Sequence, residues 1–564
     1  MQIKSLLSDI IIDSFKKLDI TPKITTVNEA TKPEFGDFQY NGAMALAKEL
    51  KQNPREIATN LANVLQDNDI FSKVEVAGPG FINLTINKEF ISTNLPMLLN
   101  ERVGIGKKSE PIRVVVDYSS PNMAKQMHVG HLRSTVIGDS IANLFEFLGD
   151  EVIRQNHIGD WGTQFGMLIA YFEESKANSD ANLSDLESFY RAAKKRFDES
   201  EDFANKSREY VVKLQGGDEF CLGLWDEFIS TTLTHCQEVY DSLNVKLDSS
   251  NVRGESAYND ALNGIVKALD DKGLLTQSQG ANCVFLDGSE NPLIVQKSDG
   301  GYLYATTDLA AIAYRVQELG AKRVCYVVDA RQAEHFKQVF AVAKLAGFAN
   351  EDTILEHIAF GMVLDKSGKP FKTRSGDTVK LQDLIDEAIN RAKNVIKNSQ
   401  EYSQDELEEI AKVVGVGALK YADLSINRTS NYIFDWDKML SLDGNTSLYL
   451  QYAYARIQSI LRRAGKFDSS QITLSDELER TMALKLLSFE DVLQKAYTEA
   501  MPHLIATYLY ELTTLFMRFY ENNPILKDDI EENIKNSRLN LAKITANTIK
   551  QGLEILGIKV LDRL

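Results

Sequence analysis

The chain has 564 residues, with 63 lysines and arginines against 80 aspartates and glutamates, a formal net charge of -17, and 44% hydrophobic content. At roughly 150 residues per domain this length implies about three or four domains, and no apolar run approaches the ~20 residues that a membrane helix needs, so no membrane partner is expected. The acidity argues against indiscriminate binding to nucleic acid, so any such contact must come from local basic patches.

The first predicted element is a helix from Ile3 to about Leu18, with Ile3, Leu6, Leu7, Ile10, Ile11 and Leu18 on one face. Asp9 and Asp13 interrupt it, which suits an amphipathic surface helix rather than a secretory signal, and a cytoplasmic protein is expected. A second helical stretch runs from about Asn41 to Leu65. Two strands follow, Val74 to Ala77 and Phe81 to Ile86, split by Gly78-Pro79-Gly80. Lys107 and Lys108 mark a linker. The pattern then changes. Val114, Val115 and Val116 form a continuous apolar run, as in a strand buried on both faces of a parallel sheet. A loop, a long helix from Gly130 to Leu148 and a strand from Glu151 to Gln155 complete a βαβ unit, so a doubly wound sheet is predicted. Residues from about 175 to 290 read as a polar helical insertion. The sheet is expected to resume near Leu303 and to include Val324 to Val328. Beyond about residue 380 the pattern is helical to the end, with strong helices over Tyr449–Leu461, Leu504–Phe519 and Leu539–Leu556. The fold class is therefore multidomain α/β: a doubly wound, Rossmann-type domain with a small α+β N-terminal domain and an all-α C-terminal domain. Cys221, Cys236, Cys283 and Cys325 show no zinc-type spacing, so reduced thiols and no structural metal are expected.

The loop between the first sheet strand and the long helix reads Asp117-Tyr118-Ser119-Ser120-Pro121-Asn122-Met123-Ala124-Lys125-Gln126-Met127-His128-Val129-Gly130-His131. Ligands of open α/β sheets bind beyond the carboxyl ends of the strands, and a helix N-terminus offers unpaired N–H groups to a phosphate. His128 and His131 bracket Gly130, which leaves room for a flat base, and both histidines are placed to stabilise charge developing on phosphate. Neither a Gly-x-Gly-x-x-Gly fingerprint nor a Gly-x-x-x-x-Gly-Lys-Ser/Thr loop is present, which argues against a dehydrogenase or a P-loop NTPase.

His-Val-Gly-His resembles the His-Ile-Gly-His signature of class I aminoacyl-tRNA synthetases, and Ser119–Ser134 is similar to its arginyl-tRNA synthetase form. The second class signature, a Lys-Met-Ser-Lys-Ser loop, corresponds to Gly368-Lys369-Pro370-Phe371-Lys372-Thr373-Arg374-Ser375-Gly376, which resembles the degenerate version of the arginyl enzymes. The resemblance implies that Lys372 and Arg374 face the leaving phosphates and that Lys125 compensates for the altered loop. It also implies that Met362 and Val363, in Phe360-Gly361-Met362-Val363-Leu364, read adenine through the backbone. Arginine presents five donors in a planar fork that carboxylates receive bidentately. By resemblance, Asp117, Ser119, Asn122, Tyr304, Asp308 and Gln332 form its pocket. Asn156–Gly166 is also similar to the family and is read as a turn shaping the pocket, with no catalytic role for His157 or Asp160.

Phe434–Asp437, Tyr449–Arg456 and Arg538–Leu564 resemble the family's helical anticodon-binding region, which implies tRNA contact by Tyr452 and Arg456. Phe35–Asn41 resembles the extra domain that touches the tRNA elbow, through Phe38, Gln39 and Asn41. The expected divisions are residues 1–109, a catalytic domain over 110–385, a connecting region over 386–440 and an anticodon-binding domain over 441–564. The implied activity joins arginine to its tRNA, with MgATP as co-substrate and a monomer as the family's common state. A small-molecule adenylyltransferase would account for the histidines but leaves both terminal regions without a purpose.

Overall fold

The computed structural model describes residues 2–123, 125–177, 186–372, 379–396, 401–468 and 472–564. The chain divides into two compact units, one of residues 107–441 with 555–558, the other of residues 1–106 with 442–554 and 559–564.

The first unit is built on strand β1 (Arg113–Asp117), helix α1 (Val129–Leu148) and strand β2 (Glu151–Gln155). Val114, Val115 and Val116 are fully buried, worth roughly 5–9 kcal/mol of transfer free energy together. The helix starts where His128 caps it and stops at Gly149, whose φ of 109° ends it in the left-handed region. It is buried on nearly every face because it lies against the sheet on one side and against the helix Gln404–Leu424 on another. Two of its buried charged residues are paired. Arg133 Nε donates to both carboxylate oxygens of Asp423, at 3.2 and 3.1 Å. Asp139 accepts from the Lys246 amide at 3.0 Å and lies 3.8 Å from the buried Lys420 ammonium.

The insertion follows β2. Its helices include Thr163–Ala177, α2 (Leu186–Glu199), Glu201–Gln215 and Glu219–Leu243, packed on Phe165, Phe189 and Phe228. Its last part is not helical. Thr276–Ser278, Ala281–Val284 and Leu293–Gln296 pair as a three-stranded antiparallel sheet, turning through Gln279 and Gly280, both at positive φ. Leu303 does not resume the parallel sheet either. It precedes helix α3 (Tyr304–Ala313), which continues into a π-helical turn, Tyr314–Glu318. The parallel sheet continues with β3 (Arg323–Tyr326), helix α4 (Ala333–Leu345) and β4 (Ile354–His357). The strand order is β4-β3-β1-β2, all parallel. The chain leaves β1 to one side and returns to the other at β3, so the crevice beyond Asp117 and its register partner Tyr326 is the topological switch point. The segment Phe360–Leu364 lies outside this sheet. Only Val363–Leu364 form a ladder, parallel to Tyr432–Ile433, and a side chain at Gly361 would strike the Ser430 carbonyl.

In the second unit, the N-terminal segment forms a four-stranded antiparallel sheet with helix Ile3–Lys17. The stretch expected as one helix over 41–65 is two, Ala43–Leu50 and Pro54–Leu65. Lys51 takes the left-handed conformation and Asn53 caps the second helix ahead of Pro54, which cannot continue the first. The N-terminal segment is fastened to the C-terminal helices. Arg480 donates to both oxygens of Asp37 at 3.0 and 2.5 Å and to the Ile86 carbonyl at 2.8 Å. The C-terminal helices include Ser447–Ala464, His503–Asn522 and Glu532–Ile555. Among the described residues no helix is long and apolar enough to cross a membrane, and the four cysteines are buried free thiols.

Candidate active site

The turn out of β1 is forced into shape by side chains. Ser119 and Ser120 both have positive φ, 71° and 46°, a conformation that costs roughly 1–2 kcal/mol per residue outside glycine. Hydrogen bonds hold it. The Ser119 amide donates to Ser134 Oγ at 3.0 Å and the Ser120 amide to Asn156 Oδ1 at 3.1 Å. Further along, His128 and His131 form a reciprocal capping box. His128 Nδ1 accepts from the Gly130 amide at 3.0 Å, and His131 Nδ1 accepts from the His128 amide at 3.1 Å. The imidazoles lie 4.0 Å apart, centre to centre. Because each Nδ1 accepts a backbone proton, the ring proton sits on Nε2, the outward donor. Burial and then the neighbouring His128 push His131 down to about 3, and burial and then Lys125 lower His128, so both rings are neutral donors at physiological pH. Gly130 is required here: a Cβ would sit 2.7 Å from His128 Cε1.

The second signature reaches the first through the backbone. Val129 N–H donates to the Val379 carbonyl and Leu381 N–H to the Met127 carbonyl, each at 2.9 Å. Lys372 is exposed, and Arg374 lies outside the described residues. Val363 is buried and Met362 is partly exposed, its amide donating to Asn431 Oδ1 at 2.7 Å.

The switch-point crevice is a cavity of about 590 Å³. Asp117, Asn122, Tyr304, Asp308 and Gln332 all line it, arriving from β1, the loop beyond it, α3 and the entry to α4. Ser119 does not line it. Its hydroxyl is buried against Tyr240 Oη and Thr135 Oγ1 at 2.8 and 3.0 Å, and Ser120 occupies the wall instead. His157, within the turn read as shaping the pocket, lines it, and sequence reasoning passed over Glu255 and His335 in the same wall. Asp308 meets His335 Nε2 at 2.6 Å. Glu255 stands on a 3-10 turn whose Ser256 amide and hydroxyl donate to Asp160 at 2.9 and 2.6 Å. Gly254 cannot carry a side chain, since its Cβ would fall 1.9 Å from Asp160 Oδ2. Asp160 therefore shapes the pocket by holding Glu255 in the wall. Burial, reinforced by Asp160 and Asp308, raises the Glu255 carboxyl to about 7. Burial lowers His157 below its ordinary value, so that ring is neutral.

Asp117 is not a free counter-charge. Its Oδ2 accepts from Nη2 of the fully buried Arg315 at 2.7 Å and its Oδ1 from Ser120 Oγ at 3.1 Å. Arg315 also donates to Gln155 at 2.6 Å, and its guanidinium lies 4.8 Å from the centre of the Tyr326 ring. Among the described residues Asp308, which meets His335, and Glu255 are the wall carboxylates with no lysine or arginine beside them. Among the described residues no lysine or arginine lines the cavity and no group of three or more His, Cys, Asp or Glu is placed to hold a metal ion.

On the tRNA-directed residues the structure is mixed. Phe38 is buried and faces the core, so its ring is not available to a base, whereas Gln39 is partly exposed and donates to Asn83 at 2.8 Å. Asn41 is partly buried. Tyr452 is exposed on its helix, and the Arg456 guanidinium stacks 4.8 Å from the Tyr520 ring centre.

A parallel sheet with its crevice at the switch point, and a His-x-Gly-His turn capping the next helix, define the catalytic domain of a class I aminoacyl-tRNA synthetase. Residues 94–436 match the family model described as tRNA synthetases class I (R), catalytic domain. Residues 1–86 match the arginyl tRNA synthetase N terminal domain and residues 450–564 the DALR anticodon binding domain. The chain is 50% identical over its whole length to the arginine–tRNA ligase of Alteromonas mediterranea, also covered in full. It is 52% identical to that of Azotobacter vinelandii, over 100% of this chain and 99% of the relative. The crystal structure of arginyl-tRNA synthetase from Plasmodium falciparum superposes with a TM-score of 0.88 at 34% identity, both chains covered in full. The Thermus thermophilus arginyl-tRNA synthetase shares the fold at a TM-score of 0.84 and 24% identity, again with both chains covered in full. The chain belongs to the arginyl-tRNA synthetase family.

Proposed function

We propose that the cavity at the switch point is the arginine site of an arginine–tRNA ligase, and that Asp308 and Glu255 receive the guanidinium. The ligase activity follows from family membership over the full length. The observation that supports the site is the charge of its wall: two carboxylates without a fixed cation of their own, plus Asp117 neutralised from behind by Arg315. A planar fork of donors is the complement of that wall. A lysine or glutamine side chain would leave a buried carboxylate unpaired, which gives discrimination of about 10⁴-fold without a proofreading domain.

In the first step the arginine carboxylate attacks the α-phosphorus of ATP, the bond to the bridging oxygen breaks, and pyrophosphate leaves. Neutral His128 and His131 donate from Nε2 to the phosphate oxygens as charge builds. Lys125, Lys372 and Arg374 hold the leaving phosphates, and Met362 and Val363 lie along adenine. Mg²⁺ travels with the triphosphate. In the second step the 2′-hydroxyl of the terminal tRNA adenosine attacks the adenylate carbonyl and AMP departs. Gln39 and Asn41 are assigned to the tRNA elbow, and Tyr452 and Arg456 to the anticodon end.

The test is ATP–pyrophosphate exchange with each of the standard amino acids, with and without arginine-accepting tRNA. Exchange with arginine alone, appearing when tRNA is present, is the expected result. Robust exchange without tRNA contradicts the tRNA requirement, and exchange with another amino acid refutes the pocket assignment.

A further inference from the structure

Helix α2 of the insertion lies against both signature segments. Leu186, Phe189 and Ala193 anchor its inner side, with Phe189 packed 5.0 Å from Tyr171 and 6.1 Å from Phe228, centre to centre. Glu187 and Tyr190, at i and i+3, are half-buried on the neighbouring flank, with Tyr190 packed on the edge of the same cluster. The Lys125 ammonium lies 4.5 Å from the centre of the Tyr190 ring. Glu187 Oε2 lies 3.2 Å from the Lys380 ammonium, and its Oε1 meets Arg191 at 2.6 Å. Lys380 is the residue that bridges to His128 where the second signature loop rejoins the first. One helix thus touches the lysine that precedes the histidine signature and the exit of the loop that follows the second.

We infer that Tyr190 and Glu187 are positioning residues for activation: Tyr190 holds Lys125 over the leaving phosphates and Glu187 holds the exit of the second signature loop through Lys380. A lysine side chain carries four rotatable bonds, and fixing its ammonium before the nucleotide arrives removes an entropic cost from the transition state. An aromatic face does this without neutralising the cation, as a carboxylate partner would. A loop that has lost the class pattern of lysines depends more heavily on a single cation placed from elsewhere, and the insertion supplies the support for it. The inference rests on the reading of Lys125 as a phosphate-facing residue.

The experiment compares exchange kinetics of the full chain with tRNA for Lys125→Ala, Tyr190→Leu, Tyr190→Phe, Glu187→Gln and the double variant Lys125→Ala/Tyr190→Leu. Tyr190→Leu is expected to lower kcat about fivefold, the scale of one cation–π contact, with the KM for arginine unchanged. Tyr190→Phe keeps the ring and restores the rate, and in the double variant the leucine adds no further loss. A Tyr190→Leu enzyme as fast as the parent, or a loss that adds fully to that of Lys125→Ala, overturns the inference while leaving the Lys125 reading intact. A Lys125→Ala enzyme of full activity overturns both. Glu187→Gln, which preserves the shape of the helix, is expected to lower kcat about threefold, again at constant KM for arginine; an equal loss in melting temperature and in arginine binding would mark a purely structural role.

Discussion

Replacing Glu255 with glutamine changes one atom of the pocket wall and removes its titration. Burial and the carboxylates of Asp160 and Asp308 hold Glu255 at about 7 in the free protein. A guanidinium in the cavity favours the ionised form, so binding of arginine expels a proton wherever Glu255 is still protonated. With a carboxyl at about 7, the apparent affinity for arginine rises about tenfold between pH 6 and pH 8 and levels off above that. Calorimetric titration with arginine, in two buffers of different ionisation enthalpy, reads both the affinity and the released proton. Glu255→Gln is expected to bind more weakly at pH 8, by about 10- to 100-fold for one charge-assisted hydrogen bond, and to lose the steep pH dependence. The stability of the free protein runs the opposite way. A carboxyl raised in the folded state stabilises it fully below the ordinary glutamate range and loses that contribution as pH rises through 7. The glutamine variant should therefore melt higher than the parent at pH 8, by about 1–2 kcal/mol after allowing for partial exposure, and converge with it toward pH 4. An arginine affinity flat from pH 6 to 8 with no proton release, or an identical slope in the variant, would refute the reasoning.

Asp308→Asn removes the partner of His335 and one guanidinium acceptor; the KM for arginine should rise about 10- to 100-fold with the KM for ATP unchanged, and an unchanged KM for arginine removes Asp308 from the site. His131→Ala loses both half of the capping box and an outward donor, so activation should fall about 100-fold with little change in tRNA affinity; full exchange activity would sink its phosphate role. Gly130→Ala drives a methyl into the His128 ring and should lower kcat for exchange about tenfold while tRNA binding stays intact. Arg315→Met strands the Asp117 carboxylate and should cost about 3–5 kcal/mol in urea unfolding, much of it recovered by adding Asp117→Asn; a loss under about 1 kcal/mol would mean that water reaches Asp117 freely.

Periodicity and punctuation carried the local structure. Three consecutive valines, a capped helix with a glycine stop and a second strand announce β1, α1 and β2 without reference to any partner. The break at Lys51–Pro54 is equally local: Asn53-Pro54 is a helix start, although the apolar face runs on across it. The motif residues Asp117, Asn122, Tyr304, Asp308 and Gln332 were found by resemblance, and the chain does bring them to one cavity. What no local pattern reveals is which charges remain available there. Arg315 sits 198 residues from Asp117 and cancels it. Glu255 lies on a short turn without periodicity, and Asp160, 96 residues from Ser256, makes it part of the wall. Ser119 and Phe38 carry polar or aromatic groups suited to a ligand, yet the packing turns both inward. Hydrophobic period and capping act over a few residues and survive translation into sequence. Electrostatic availability depends on which groups the folded chain brings within a few ångströms, and only the tertiary structure decided that Arg315 occupies Asp117 while Asp308 and Glu255 reach the same cavity with no arginine or lysine lining it among the described residues.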